Sequence, residues 1–314
     1  MSLSAAEVDV FEGARPRLAA IAYRMLGSAA EAEDVVQETF LRWQAADRSL
    51  IRVPEAWLTK VATNLSLNEL SSARVRRETY VGEWLPEPVP DGDPMLGPDD
   101  TVAQRESVSF AVLVLLERLT PAERAVYVLR EAFGYPHKEV AEILDISEAN
   151  SQQLHRRARL HLDRERADTQ VDRATSREIA REFLAAASGG AIEPLIRLLT
   201  EDAVGVGDGG GKVPARAKAF FGAVMVAKFL RGLFRPSDAK RALVGGGMDL
   251  YADMVNGSPA IVALVGDQVV GVMMLEVRDG RIAAVRNQVN PDKLAYITRR
   301  WQATEHGEPV GRAW

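Results

Sequence analysis

The sequence predicts a multidomain protein in which two all-α segments are followed by an α+β domain. Apolar residues recur at helical spacing over residues 5–77 and again over residues 119–162. Between them, residues 80–100 are rich in proline and glycine, which indicates an extended linker. After about Arg166, helices give way to strand-like runs joined by tight turns, which is an α+β pattern.

Composition excludes several classes of protein. The 314 residues, 47% hydrophobic and 26% charged, are enough for two or three globular domains. The absence of cysteine excludes disulfides, thiolate catalysis and Cys-ligated metals, and four scattered histidines argue against a His-based site. We therefore expect no metal and no cofactor. A signal pattern and a membrane-length apolar run are both missing, which predicts a cytoplasmic protein without membrane contact.

The stretch over residues 119–162 has helix-turn-helix spacing. Pro136 suits the first turn of a helix, and Asp145-Ile146 forms the turn that follows. Asp replaces the common glycine of this turn, which is tolerated because Asp adopts left-handed geometry. Ser147 is the expected N-cap of a second helix over residues 148–162.

The second of these helices carries residue types that read DNA. Gln and Arg pair bidentately with base edges in a major groove. The candidates for this role are Gln152, Gln153, Arg156 and Arg159. An ordinary helical hairpin with an Arg-rich solvated face has the same periodicity, so the spacing alone leaves both readings open. Ser151 occupies an inward position where Val or Ile is commoner, which predicts weaker packing there.

The remaining elements follow from local signals. A first helix closes at Gly27, Ser28 opens a second, and Pro54 opens a third. We expect a further helix over residues 101–118 and two more over residues 172–199. The run VMVAKFLRGLF is predicted as a helix, and AIVALV, VVGVMMLEV and RIAAVRNQV are predicted as strands with a hairpin turn at Asp279-Gly280.

Several motifs resemble those of the extracytoplasmic-function group of RNA polymerase sigma factors. Three of them, in the order and spacing of that family, are AEDVVQETFLRW (residues 32–43), PEAWLTKVATNLSLNEL (54–70) and LTPAERAVYVLREAFGYPHKEVAEILDIS (119–147). Three more are similar to the subgroup fused to a SnoaL-like domain: WLPEP (84–88), DGGGK (208–212) and NPDKL (290–294). Together they cover nearly the whole chain.

The resemblance implies a division of the chain into five parts. These are sigma region 2 over residues 1–79, a linker over 80–103, a region 4 helix-turn-helix domain over 104–167, a SnoaL-like α+β cone over 172–298, and a polar tail over 299–314. It also implies the function of an alternative sigma factor, which binds core RNA polymerase and directs initiation at particular promoters. The net charge of −5 then causes no difficulty, because the polymerase supplies most of the DNA-binding surface.

The resemblance assigns surfaces to region 2. The surface that would bind core polymerase consists of Asp34, Gln37, Glu38 and Arg42; an ordinary solvated helix face is the alternative reading. The residues that would bind minus-10 DNA are Lys60, Asn64, Asn68, Arg74, Arg76 and Arg77. Asn64 and Asn68 share a helix face, where an amide can pair with a splayed base; local hydrogen bonding is the alternative reading.

In region 4, the resemblance implies that the candidate residues on the second helix of the helix-turn-helix read the minus-35 element. Relatives carry Arg at the position of Gln152, and Gln would favour adenine over guanine there.

In the subgroup that the chain resembles, the SnoaL-like domain controls sigma activity in cis. The intramolecular contacts expected from the three motifs involve Trp84, Leu85, Pro86, Asp208, Gly209, Gly210, Gly211, Lys212, Asn290, Pro291, Asp292, Lys293 and Leu294. A hairpin loop at DGGGK and a helix N-cap at NPDKL are the simpler alternatives. We further expect a free monomer and a small-molecule ligand in the pocket of the cone.

A protein of another class remains as the alternative. SnoaL-like domains include enzymes that use an Asp base, and Asp202, Asp208 and Asp249 are the candidate acids here. Such a chain would be an enzyme or ligand sensor fused to a helix-turn-helix repressor. Because no His pair or other constellation accompanies these acids, we expect a non-enzymatic sigma factor.

Overall fold

The computed structural model describes residues 3–97, 107–162, 173–216 and 218–313, and the side chains of residues 73–78, 173 and 174 lie outside that description. The chain divides into two compact units. Unit 1 comprises Met1–Thr79 and Gly92–Arg166, and unit 2 comprises Tyr80–Asp91 and Ala167–Trp314. The linker between the predicted regions 2 and 4 is therefore shared between the two units.

Unit 1 opens with three helices: α1 (Ala5–Leu26), α2 (Ala29–Ala45) and α3 (Pro54–Glu78). Ser4 caps α1 in a capping box with Glu7, and Ser28 caps α2 by accepting the amide of Glu31. Gly27 ends α1 in the left-handed conformation at φ 68°. These local signals fix three helices whose buried stripes meet around residues such as Phe11, Trp43 and Leu58.

The second part of unit 1 consists of α4 (Phe110–Leu116), α5 (Pro121–Tyr127) with a π-helical turn (Val128–Ala132), α6 (His137–Leu144) and α7 (Glu148–Leu162). Asp145 occupies the turn between α6 and α7 with φ 53° and ψ 46°, as predicted. The hydroxyl of Ser147 accepts the amide of Asn150 and caps α7. Helix α6 begins one residue after Pro136, which serves as its N-cap.

The two predicted sigma regions pack into one compact unit rather than into separate domains. Arg24 of α1 and Arg124 of α5 are both buried between them. Arg124 donates to the main-chain oxygen of Arg24 at 3.0 Å, and Arg24 donates to the hydroxyl of Ser107 at 3.0 Å. Burial lowers the pKa of each guanidinium, to about 9. The amphipathic pattern of each region predicted its own core but not this shared one.

Unit 2 is an α+β domain, as predicted. Its strands are β1 (Leu199–Asp208), β2 (Phe220–Phe221), β3 (Met248–Val255), β4 (Ser258–Val265), β5 (Gln268–Arg278), β6 (Arg281–Gln288) and β7 (Gly311–Ala313). They form a single sheet in the order β2-β1-β6-β5-β4-β3-β7, with β1 parallel to β6 and the other pairs antiparallel. The turns Asn256-Gly257 and Asp279-Gly280 have positive φ at both residues, which is the twist that two-residue hairpins require.

The helices of unit 2 are α8 (Arg173–Ser188), α9 (Ile192–Leu198), α10 (Ala223–Phe234), α11 (Asp238–Val244) and α12 (Pro291–Gln302). The main core joins α8, α9 and α10 to side chains such as Met273 and Leu275 of β5. The buried Val272 and Met274 alternate with these and point to the opposite face, and α12 packs on the same strand. The sheet is thus covered on both faces.

Three predicted boundaries differ from the structure. The segment from residue 299, predicted as a polar tail, continues α12 to Gln302 and ends in β7, where Ala313 is buried beside Met248 of β3. The helix predicted to start at Thr101 starts in the described residues at Phe110, capped by Ser109, and residues 101–106 lie outside that description. The predicted extended linker contains a 3-10 turn at Pro94–Leu96.

We predict opposite effects for the same substitution at two glycines of α1. Gly27→Ala places a Cβ at positive φ and should lower the free energy of unfolding by about 1 kcal/mol. Gly13→Ala lies in the helix interior with open space around the new Cβ, and should raise it by up to about 1 kcal/mol. Urea denaturation of the two variants measures both changes; two changes of the same sign would contradict this account of the α1 terminus.

Candidate nucleic-acid interface

Helix α7 presents the four minus-35 candidates on one exposed face. Gln152, Gln153, Arg156 and Arg159 are all exposed. At 3.6 residues per turn they fall within an arc of about 120°. Leu154 and Ala158 are buried on the other side of the helix. The arrangement leaves two amides and two guanidiniums free to meet base edges and phosphates.

Polar contacts that the sequence did not predict support α7 from behind. Ser151 is completely buried, and its hydroxyl lies 2.9 Å from Nδ1 of His137 on α6. Nε2 of His155 lies 2.7 Å from the carboxylate of Glu131 in the π-helical turn. The position predicted to pack weakly is thus held by hydrogen bonds.

The minus-10 candidates on α3 divide into three groups. Asn64 is half-buried and Asn68 is exposed on the same face. The ammonium of Lys60 is bound within unit 1, to the carboxylate of Asp145 at 2.6 Å and the main-chain oxygen of Glu142 at 2.9 Å. The side chains of Arg74, Arg76 and Arg77 lie outside the described residues. In this conformation Lys60 is therefore engaged by the helix-turn-helix rather than free for a phosphate.

The candidate polymerase-binding residues form a stripe on α2. Asp34, Gln37 and Arg42 are exposed, and Glu38 is half-buried and paired with Arg42 at 2.9 Å. Leu41 lies in the same stripe and is 49% exposed. Leu41 was not among the predicted polymerase-binding residues, and a single exposed leucine is common on protein surfaces.

Further contacts join α3 and α1 to the helix-turn-helix domain. The hydroxyls of Thr59 and Tyr135 lie 3.3 Å apart. The guanidinium of Arg17 lies 4.8 Å from the ring centre of Tyr135, and that of Arg24 lies 5.1 Å from that of Phe133. The predicted minus-10 helix and the predicted minus-35 domain are thus in direct contact within unit 1.

In unit 2, the carboxylate of Asp208 is a centre of hydrogen bonds. It is 1% exposed and accepts from five groups among the described residues. These are the hydroxyl of Tyr80 (2.5 Å), the amides of Leu85 (2.9 Å) and Gly210 (3.0 Å), Nε2 of Gln288 (3.2 Å) and Nζ of Lys293 (2.7 Å). Burial, followed by the hydrogen bond to Asp208, raises the pKa of Tyr80. Asp208 and Lys293 were predicted contact residues, whereas Tyr80 and Gln288 were not.

Lys293 is the cation of this site. It is 7% exposed, and besides Asp208 it donates to the main-chain oxygen of Leu85 at 2.7 Å. Its ammonium lies 4.1 Å from the ring centre of Trp84 and 4.6 Å from that of Tyr80. Aromatic faces and a carboxylate together offset the loss of water around the buried charge. Lys293 therefore joins the linker, the DGGGK loop and the NPDKL helix.

Close approach explains the glycines of DGGGK. A Cβ on Gly209 would lie 2.1 Å from the main-chain oxygen of Val213. A Cβ on Gly210, which has positive φ, would lie 2.3 Å from Nδ2 of Asn290. The same Nδ2 donates to the hydroxyl of Tyr80 at 2.8 Å. Lys212 at the end of the loop pairs with Asp292 at 2.6 Å, so the two motifs pack directly on each other.

A second set of contacts holds the far end of the linker segment, residues 80–91. Oδ1 of the buried Asn256 accepts a hydrogen bond from the main-chain N–H of Val89 at 2.9 Å. The main-chain N–H of Asn256 donates to the main-chain oxygen of Val89 at 3.0 Å. The carboxylate of Asp91 accepts the amide of Gly257 at 2.7 Å. Leu85 and Val89 are fully buried between these anchors. The linker segment is thus an integral part of unit 2.

The candidate catalytic acids are all paired with cations. Asp202 binds Arg278 at 2.6 Å, a hydrogen bond that lowers the pKa of Asp202, and Asp249 binds Arg312 at 2.8 Å. Asp208 binds Lys293 as described above.

In the described ranges, no cluster of acids and histidines has the arrangement of a metal site, and no helix is long and apolar enough to cross a membrane. A surface groove of about 440 Å³ beside α10 includes the exposed Phe221 and Met225.

Comparisons with known proteins agree with this geometry. Residues 10–76 match the family model of sigma-70 region 2, and residues 109–162 match that of sigma-70 region 4. The chain is 37% identical to the ECF RNA polymerase sigma factor SigJ of Mycobacterium tuberculosis, over 96% of this chain and 98% of that protein. It is 32% identical to the probable ECF RNA polymerase sigma factor SigI of the same species, over 89% and 92% of the two chains.

The crystal structure of Mycobacterium tuberculosis SigJ matches with a TM-score of 0.70 and 35% identity, over 91% of this chain and 97% of that one. The match extends through the α+β unit as well as the helical one. The chain therefore belongs to the extracytoplasmic-function RNA polymerase sigma factors, which direct transcription from particular promoters.

Proposed function

We propose that unit 2 controls this sigma factor in cis by holding the linker segment while regions 2 and 4 remain packed together. The observation that carries the proposal is the buried site in which Asp208 and Lys293 bind Tyr80, Trp84 and Leu85 of the linker. In the active state we assign minus-35 reading to the exposed face of α7, minus-10 reading to α3 around Asn64 and Asn68, and polymerase binding to the α2 stripe.

Promoter geometry requires the two regions to separate. The minus-10 and minus-35 elements lie roughly 25 base pairs apart, which is on the order of 85 Å along B-form DNA. In unit 1, by contrast, Lys60 of α3 and Asp145 beside α6 are joined by an ion pair of 2.6 Å. The packed arrangement therefore serves as an inactive state, in which a minus-10 contact residue is also occupied.

The linker segment sets how far the regions can move apart. From Glu78 to Phe110 the chain has about 31 residues, which can span roughly 100 Å when extended. Residues 80–91 are fixed on unit 2, and Met95 and Leu96 are buried in unit 1. Release of residues 80–91 alone lengthens the tether between regions 2 and 4 by up to about 40 Å. Whether unit 2 holds or releases the linker segment therefore determines whether the open state can form.

A signal acts in this scheme by shifting a population. A ligand or partner that binds unit 2 more tightly when the linker segment is released shifts the population towards the open form. The size of the shift is set by the ratio of its affinities for the two forms. We place a small-molecule ligand in the cone as the candidate signal. Core polymerase acts in the same direction, because it binds the separated regions.

We predict that Leu85→Ala releases the linker segment. Leu85 is 1% exposed, and truncation of a buried leucine weakens its packing by about 2–5 kcal/mol. Hydrogen exchange of residues 80–91 should become faster, and run-off transcription with core polymerase should rise, on a promoter that the holoenzyme selects from a randomised pool. Val81→Ala is the matched control, because Val81 belongs to the same segment and is 64% exposed. Faster exchange without more transcript would contradict control through the linker.

We also predict a smaller effect from the contact between regions 2 and 4. Asp145→Asn keeps a residue that tolerates positive φ but removes the partner of Lys60. Because both side chains are partly exposed, the pair contributes no more than about 1 kcal/mol, so transcription should rise by up to about fivefold. Glu142→Gln removes a nearby exposed carboxylate that does not bind Lys60 and should leave transcription unchanged. Equal effects of the two variants would argue against the ion pair as a restraint.

A further inference from the structure

An exposed apolar patch lies where the edge strand β2 meets the first turn of α10. Phe221 is 69% exposed, Val224 is 50% exposed and Met225 is 47% exposed. Together with Ile196 of α9, these side chains line the surface groove of about 440 Å³ beside α10. Large apolar side chains that are exposed as a group, rather than singly, are typical of interaction surfaces. The groove therefore offers a place for an apolar side chain of another molecule.

Cations continue the same face of α10 towards its C-terminal end. This face carries, at successive spacings of four, three and four residues, Val224, Lys228, Arg231 and Arg235. It extends over roughly 16 Å, and all three cations on it are exposed. No carboxylate of the described residues pairs with any of the three, whereas other cations of unit 2, such as Arg278, are held by acids. The positive charge of this face is thus available to a partner.

The balance of charge around α10 is opposite to that of the whole chain. Residues 221–243 contain five cations and one acid, Asp238, in a protein whose net charge is −5. Glu201 of β1 adds a carboxylate to the lining of the groove. The surface therefore combines an apolar groove with an excess of positive charge. It complements an acidic partner that has an apolar side chain to insert.

Two other kinds of anionic partner fit this surface less well. A helix that binds lipid turns a continuous apolar face towards the bilayer. In α10 that face is committed to the core of unit 2, where Val226, Ala227 and Leu230 are completely buried. Surfaces that bind DNA are polar and contact phosphates, so the exposed side chains of Phe221 and Met225 would gain little from a duplex. A protein segment supplies both the acids and the apolar side chain.

We propose that this face of unit 2 docks an acidic amphipathic helix of a partner protein. One bulky apolar side chain of that helix fills the groove, and Asp or Glu residues on its following turns pair with the three cations. The α10 surface defined in this way consists of Phe221, Val224, Met225, Lys228, Arg231 and Arg235. It shares no residue with the site of Asp208 and Lys293, so the proposal does not rest on control in cis.

The test begins with a phage-displayed library of randomised helical peptides, each about 16 residues long so that it can match the length of α10. Peptides are selected on the full-length protein and depleted on the double variant Phe221→Ser with Met225→Ser. Both side chains are exposed, so the double variant keeps its core. The retained peptides should carry a bulky apolar residue and several Asp or Glu residues at helical spacing. Retention of no peptide, or of neutral or basic peptides, would overturn the proposal.

Fluorescence anisotropy then measures the affinity of a retained peptide for single variants. Met225→Ser should weaken binding by at least about tenfold, because the burial of a methionine side chain is lost. Leu243→Ser is the matched control and should leave the affinity unchanged, since Leu243 of α11 is 56% exposed but lies outside the groove lining. Lys228→Gln should weaken binding at low salt more than at high salt. Equal affinities of the Met225→Ser and Leu243→Ser variants would contradict insertion into the groove.

Two further probes separate the proposed partner from the alternatives. Phosphatidylglycerol vesicles and a duplex DNA of random sequence are each titrated with the original chain and with the double variant. We expect no binding that the double substitution abolishes; such binding would assign the surface to lipid or to DNA and overturn the proposal. Hydrogen exchange of residues 80–91 should be the same in the double variant and the original chain, because these residues belong to a different site. Failure of the docking proposal therefore leaves control in cis standing, and the reverse also holds.

Discussion

The buried pair of Asp208 and Lys293 is the interaction on which the organisation of this sigma factor depends. A carboxylate and an ammonium that are both withdrawn from water need each other and several further partners. Here those partners come from three distant segments, among them Tyr80 and Leu85 of the linker. The linker therefore completes the site, and its departure would remove the partners that Tyr80 and Leu85 supply to the two charges. That requirement makes the linker segment part of unit 2.

Unit 1 has a complementary design. Regions 2 and 4 share a core, yet the groups between them include the buried guanidiniums of Arg24 and Arg124, and one nitrogen of each has no acceptor among the described residues. These charged groups lie inside the shared core, where a donor without an acceptor costs free energy. In our account a strong contact fixes the linker and moderate contacts join the regions, so the linker decides when the regions separate.

Local chemistry predicted much of the fold. The caps at Ser28 and Ser147, the left-handed turn at Asp145 and the hairpin at Asp279-Gly280 depend on neighbouring residues alone. Pairings between distant residues were not predictable in this way. The contacts of Lys60 with Asp145 and of Lys293 with Asp208 each span 85 residues, and no periodicity specifies such partners. The motifs identified which segments matter, and the structure supplied their partners, including Tyr80 and Gln288.

The distance between regions 2 and 4 tests the account most directly. The chain has no cysteine, so Gln44→Cys on α2 and Glu139→Cys on α6 provide two unique sites for spin labels. Both positions are exposed. We predict a single short distance between the two spin labels in the free protein. When core polymerase and promoter DNA are bound, this distance should increase by roughly 30 Å or more, because the minus-10 and minus-35 elements lie far apart on the DNA. An unchanged distance in a transcribing complex would contradict the account.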